Sequence, residues 1–134
     1  MASIRREITI DTAPAHVWDA LRDVGALHTR LVPGFVVDTK LEPGARVVTF
    51  GNGMVARELI VTVDDNERRL VWSVVGGHLT HHNASAQVFD DGTKRCKFVW
   101  IADVLPDEAA PQVAAMMEQG IRVIQATLAR TSAE

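Results

Sequence analysis

Few residues of this chain combine a reactive type with a telling position. Glu58 stands in the alternating run 54–63, where Ile60 and Thr62 share its parity and Arg57, Leu59, Val61 and Val63 take the other. A carboxylate on an apolar, buried face loses hydration, which favours its protonated form and suits it to donate a hydrogen bond or to act as general acid or base. The alternative is an ion pair with Arg46 or another base, which satisfies the charge and does nothing more. His82 is the second candidate acid or base, weighed against a plain polar residue facing water near a strand end. A metal reading of His78, His81 and His82 fails, because His81 and His82 are neighbours on an extended run and point to opposite faces, and no HxxxH or cysteine partner exists. Ser73 and Ser85 lie in no GxSxG elbow. The single Cys96 excludes a disulfide framework and a cysteine-rich zinc site. No metal and no cofactor are expected.

Composition removes other classes. The net charge of -3 comes without a basic stripe, which argues against a nucleic-acid partner. Tyrosine is absent and aromatics make up 5%, too few for a protein that stacks bases or sugars. No apolar stretch approaches the roughly 20 residues that span a bilayer, and the two arginines near the start are not followed by a signal-peptide core. A reducing, cytoplasmic location is the expectation, and 134 residues suit one domain over 1–134 that buries about two thirds of its unfolded surface.

Positioning these residues requires a particular order of elements. Residues 4–11 alternate as a strand with one wet face, and residues 14–24 carry Val17, Trp18, Leu21 and Val24 at helical spacing behind Pro14. Residues 26–31 read as a further helical turn before Pro33-Gly34. Six β-rich runs follow, at 35–41, 46–50, 54–63, 69–75, 81–89 and 94–105, each closed by Gly, Pro, Asp or Asn. With no helix among them they predict an antiparallel meander. A last helix begins near Asp107 and runs to about Arg130; if helical from Pro111 it measures about 30 Å at roughly 1.5 Å per residue, enough to cross a sheet.

This order, and several local words, resemble the SRPBCC or START-like helix-grip superfamily of START domains, polyketide cyclases, birch-pollen allergen proteins and abscisic-acid receptors. The stretch ITIDTAPAHVWDALRDVGALHTRLVPG, residues 8–34, looks like the family's first strand, proline and Val-Trp-x-x-Leu helix. Gly44-x-Arg46, Arg57-Glu58-Leu59 with Asp64-Asp65, Val74-Val75-Gly76-Gly77, Asn83 to Ser85 and Phe98-Val-Trp100 to Pro106 are similar to its later strands. The chain is identified as a polyketide cyclase/dehydrase-like member, which implies an α+β helix-grip fold: a seven-stranded antiparallel sheet wrapped around a long C-terminal helix, with two short helices after the first strand. Only Gly51 to Met54 fills the place of the receptors' longer gating loop, and His78-Leu79-Thr80 replaces their latch, so a hormone gate of that type is not expected.

The resemblance further implies a cavity between sheet and helix. It places Glu58, Ile60 and Thr62 inside on one strand, Leu70, Trp72 and Val74 on the next, and His82, Ala84, Ala86 and Val88 on the one after. Lys97 and Asp103 should be wet, which leaves Cys96, Phe98, Trp100 and Ala102 inward. Arg46, Val48 and Phe50 are the inward set of the third strand, and the helix supplies Met116, Met117, Gly120, Ile121 and Ile124. Such a wall fits a small hydrophobic or amphipathic ligand, a lipid, polyketide or aromatic compound, and methionines suit a pocket that adapts its shape. Plain core is the competing reading for Met116, Met117, Trp72 and Trp100. A carrier or sensor ranks first, because no convincing pair of inward titratable groups emerges; the alternative is a cyclase or dehydratase using Glu58 or His82 as acid or base. On the outer parity Leu59, Val61, Val63, Val71, Val75, Val99 and Ile101 make an apolar patch, which tips the balance slightly towards a weak homodimer over a monomer.

Overall fold

The computed structural model describes residues 1–92 and 94–131; the last three residues of the domain expected over 1–134 lie outside the described residues. Seven strands form one antiparallel sheet: β1 (Ala2–Ile10), β2 (Val36–Glu42), β3 (Ala45–Phe50), β4 (Val55–Asp64), β5 (Arg69–Val75), β6 (His81–Asp90) and β7 (Cys96–Leu105). Their order is β1-β7-β6-β5-β4-β3-β2, a meander from β2 to β7 whose last strand pairs with the first. Helix α1 (Pro14–Arg22) follows β1, and helix α2 (Ala110–Thr131) closes the fold over the sheet. Among the described residues no helix is long and apolar enough to cross a membrane.

Helix α1 starts on Pro14, whose fixed φ suits a first turn, and buries Val17, Trp18, Ala20 and Leu21 on one face. Where a further turn is predicted over 26–31, the chain makes a 3-10 turn, Val24–Ala26, and then a π turn, Leu27–Leu31. The irregularity follows from close packing on β2. A side chain at Gly25 would meet Leu41 at 2.7 Å, so glycine lets this segment lie against the edge of the sheet. In α2, a Cβ on Gly120 would come within 3.1 Å of the Trp100 ring and 3.2 Å of Phe35, so the missing side chain seats both aromatics against the helix.

The core is a single cluster on the inner face. It joins Ile10, Val17, Val48, Leu70, Ala84, Val88, Phe98, Ala102, Ile121, Ile124 and Leu128. One expectation about the faces is overturned. β4 slips register between Ile60, which pairs with Trp72, and Thr62, which pairs with Val71. Val61 is the extra residue of this bulge, and beyond it the parity reverses: Thr62 turns outward and is exposed, while Val63 takes the parity of its partner Leu70 but stays exposed. The outer apolar patch is therefore smaller than the sequence implies. Val71 and Val99 are only 6% and 5% exposed, whereas Val61 and Val75 remain open to solvent.

Candidate functional site

The inner face does not fill completely. Between the sheet, the N-terminal half of α2 and the segment after α1 lies a cavity of about 410 Å³. Exposed residues border it at Met54 and Val55, at Val75 to His78 and at Gln112, so it opens to solvent between the β3–β4 turn, the β5–β6 turn and the start of α2. The β5–β6 turn is shaped by Gly76 and Gly77, whose φ of +85° and +72° lie in the left-handed region that glycine tolerates best.

Twelve of the seventeen residues expected in the wall border this space. They are Arg46 and Phe50 on β3, Glu58 on β4, Trp72 and Val74 on β5, His82 and Ala86 on β6, Phe98 and Trp100 on β7, and Met116, Met117 and Ile124 on α2. The other five, Val48, Ile60, Ala84, Gly120 and Ile121, do not border it; Gly120 instead backs the Trp100 and Phe35 rings that do. Ala84 pairs with Trp72 on one side and Ala102 on the other and is 1% exposed, so a larger residue there would overpack the core and leave the cavity unfilled. Strand parity alone misses the cover. Leu21, Leu27, Leu31, Val32, Phe35 and Val36 close one side of the cavity, and Leu79 and Val113 border its mouth. The Leu27/Leu31 spacing is the one sequence signal that pointed at this cover, and it gave no indication of which way the turn would face.

The buried titratable side chains of the wall, Arg46, Glu58 and His82, lie in one row across the sheet. Arg46 on β3 is the register partner of Glu58 on β4, and Glu58 is the partner of Val74 on β5. Arg46 Nε donates to Glu58 Oε1 at 2.8 Å, with the two side chains 4% and 8% exposed. The guanidinium also donates from Nη1 to the carbonyl oxygen of Val24 at 3.2 Å, and its Cζ lies 5.8 Å from the centre of the Trp72 ring. It thus ties the 3-10 turn to the sheet while it compensates a buried carboxylate. Of the two readings of Glu58, the ion pair with Arg46 is the one found. A carboxylate held against a buried guanidinium is poorly placed to serve as a free acid.

Next in the row is His82. The β5–β6 ladder ends at Ser73 and Asn83, and beyond it side chains replace the backbone bonds. The Val74 N–H donates to His82 Nδ1 at 3.3 Å, and Ser73 Oγ donates to the His82 carbonyl oxygen at 2.6 Å. Burial holds the imidazole below its ordinary pKa of 6.5, with the nearby Glu58 carboxylate pulling the other way. His81, one residue away, is exposed on the opposite face, so the two histidines cannot share an ion. Trp72 and Trp100 complete the floor with ring centres 6.2 Å apart. Trp100 buries its Nε1–H with no acceptor. Cys96 is buried, and desolvation pushes its thiol up to about 11, which keeps it in the unreactive form.

A meander closed by its first strand, gripping a long helix over a partly hollow inner face, is an architecture shared by known proteins. The family profile described as "Polyketide cyclase / dehydrase and lipid transport" matches residues 1–133. The chain belongs to this family. Solved structures agree on the fold of this polyketide cyclase/dehydrase-type chain. The protein XoxI from Bacillus cereus is 20% identical and superposes with a TM-score of 0.85, covering 96% of each chain. A protein from Thermobifida fusca is 25% identical, with a TM-score of 0.79 and coverage of 97% of this chain and 95% of the other. A START superfamily protein from Mycobacterium smegmatis is 11% identical, with a TM-score of 0.75 over 98% and 97%. No curated protein sequence matches the chain.

Proposed function

We propose that this family member binds one small, uncharged and largely apolar molecule in the cavity between the sheet and α2, as a carrier or sensor. The observation that carries the reading is the wall itself: mostly aliphatic and aromatic side chains surround a space of about 410 Å³, and its buried titratable side chains, Arg46, Glu58 and His82, lie in a single row while His78 and Gln112 stand at the mouth. Charge in that row is already balanced. Arg46 is matched by Glu58 and His82 is kept neutral by burial, so a ligand carboxylate would meet no unpaired cation to offset its desolvation. The same pairing counts against acid–base catalysis by Glu58 and ranks a binder above a cyclase or dehydratase.

The test uses 2-acetylnaphthalene and 2-naphthoate as uncharged and anionic probes of similar shape, followed by NMR titration. Saturable one-to-one binding of the ketone, and weaker binding of the carboxylate, is the expected result. Val74→Trp places a bulky side chain in the wall and should abolish binding in a folded protein. A folded Val74→Trp variant that binds the ketone as tightly as the parent would overturn the assignment to this cavity.

A further inference from the structure

The end of the β5–β6 ladder fixes the tautomer of His82. In a neutral imidazole one nitrogen donates and the other accepts. Nδ1 faces the backbone N–H of Val74 at 3.3 Å and therefore accepts, which puts the proton on Nε2. Ser73 Oγ, bound to the His82 carbonyl oxygen, pins the backbone that carries the ring. Nε2 lies across the ring from the Val74 amide, on a residue that borders the cavity and is 9% exposed, and among the described residues no hydrogen bond occupies it. A donor held in one orientation on the wall of the cavity favours an acceptor in whatever fills that space.

From this geometry we infer that His82 Nε2–H is a fixed hydrogen-bond donor that selects ligands carrying an uncharged acceptor oxygen, a ketone, aldehyde or ester carbonyl, and positions that oxygen beside the Arg46–Glu58 pair. The inference rests on the proposed cavity function and narrows its ligand class. It makes His82 a specificity residue and a poor proton acceptor, since Nδ1 is occupied and cannot take a proton without breaking the bond to Val74. A hydroxyl can also accept here, but a carbonyl oxygen does so without leaving a proton of its own unplaced.

The experiment compares 2-acetylnaphthalene with 2-ethylnaphthalene, which lacks the acceptor, on the parent protein and on His82→Phe. In the parent the ketone should bind about tenfold more tightly than the hydrocarbon, the worth of one well-placed buried hydrogen bond. In His82→Phe the two should bind alike, so the roughly tenfold preference for the ketone is lost. A ketone preference that survives the substitution overturns the role of His82 and leaves the cavity reading standing. Failure of the parent to bind either probe overturns the cavity reading itself, and the inference with it. A measurement on the parent alone guards against a variant that does not fold: the nitrogen resonances of the His82 ring should show the Nε2–H tautomer, with the Nε2 signal moving when the ketone is added and not when the hydrocarbon is. An Nδ1–H tautomer, or an Nε2 signal indifferent to the ketone, contradicts the inference.

Discussion

The two ends of the inner face are built from the same sheet and the same helix, yet one is solid and the other hollow. Along the C-terminal part of α2, Ile121, Thr127 and Leu128 are buried and do not border the cavity, and Ile121 and Leu128 share one core cluster with Ile10, Val17, Val88 and Cys96 of β1, α1, β6 and β7. Along the N-terminal part, Val113 and Met116 are only half-buried and border open space. The cover makes the difference. Beside the solid end lies α1, a regular helix tied to the end of α2 by the hydrogen bond between His16 and Thr131, with one continuous apolar face to bury. Over the hollow end lies a 3-10 turn followed by a π turn, which cannot present such a face and is held in place by the Arg46 bond to Val24. A sheet of uniform pattern can therefore be half core and half cavity, depending on the regularity of what closes it.

The sharpest way to break this arrangement is at the Arg46–Glu58 pair. Arg46→Met strands a buried carboxylate and releases the Val24 carbonyl, and should cost about 3–5 kcal/mol in chemical denaturation. Adding Glu58→Leu removes the stranded charge and should restore most of that loss; a double variant as unstable as the single one would show that the tie to Val24 matters more than the charge. A second comparison sets the two ends directly against each other. Leu128→Ala, at 1% exposure in the solid end, should cost about 3 kcal/mol by leaving a cavity, whereas Met116→Ala, already beside open space, should cost less than about 1 kcal/mol. Equal losses would mean that the hollow end is packed in solution.

The smallest effect is in pH. Because burial holds His82 below 6.5, the unfolded chain takes up its proton first as pH falls, so the stability linked to this residue is complete above about pH 6.5 and declines below it. The decline, at most about 1.4 kcal/mol per pH unit, is moderated by Glu58 facing the ring from β4 and reinforced by His81 beside it. Thermal melts between pH 7 and pH 5 should show a shallower fall for His82→Phe than for the parent. An identical fall would place the proton uptake elsewhere.

The strand pattern was legible because alternation, turn residues and charge parity agree over long runs: Lys97 and Asp103 alone orient β7, and the Asp64–Asn66 turn ends β4 within a residue. Two features were not. The bulge at Val61 lies in a run of β-branched residues where either face would accept any side chain, so nothing local signals the change of parity that sends Thr62 outward. The cover of the cavity was equally hidden, since Leu27, Leu31 and Phe35 occupy turns whose direction depends on the contact of Gly25 with Leu41 and on the bond from Arg46 to Val24. Glu58 shows a different limit. Its place on the inner face was readable, but whether it would act as an acid or as half of an ion pair hung on a register partner twelve residues earlier in the chain.

Pairing between β1 and β7 has a consequence for how the protein is made. Among the described residues β1 pairs with no strand but β7, which is made after the other six, and α2 follows it. During synthesis the hairpins from β2 to β7 can form in turn as neighbours, while β1 waits with its apolar face uncovered. The cavity does not exist until the closing strand and the gripping helix have both arrived, so a ligand can stabilise the finished chain but cannot template the growing one.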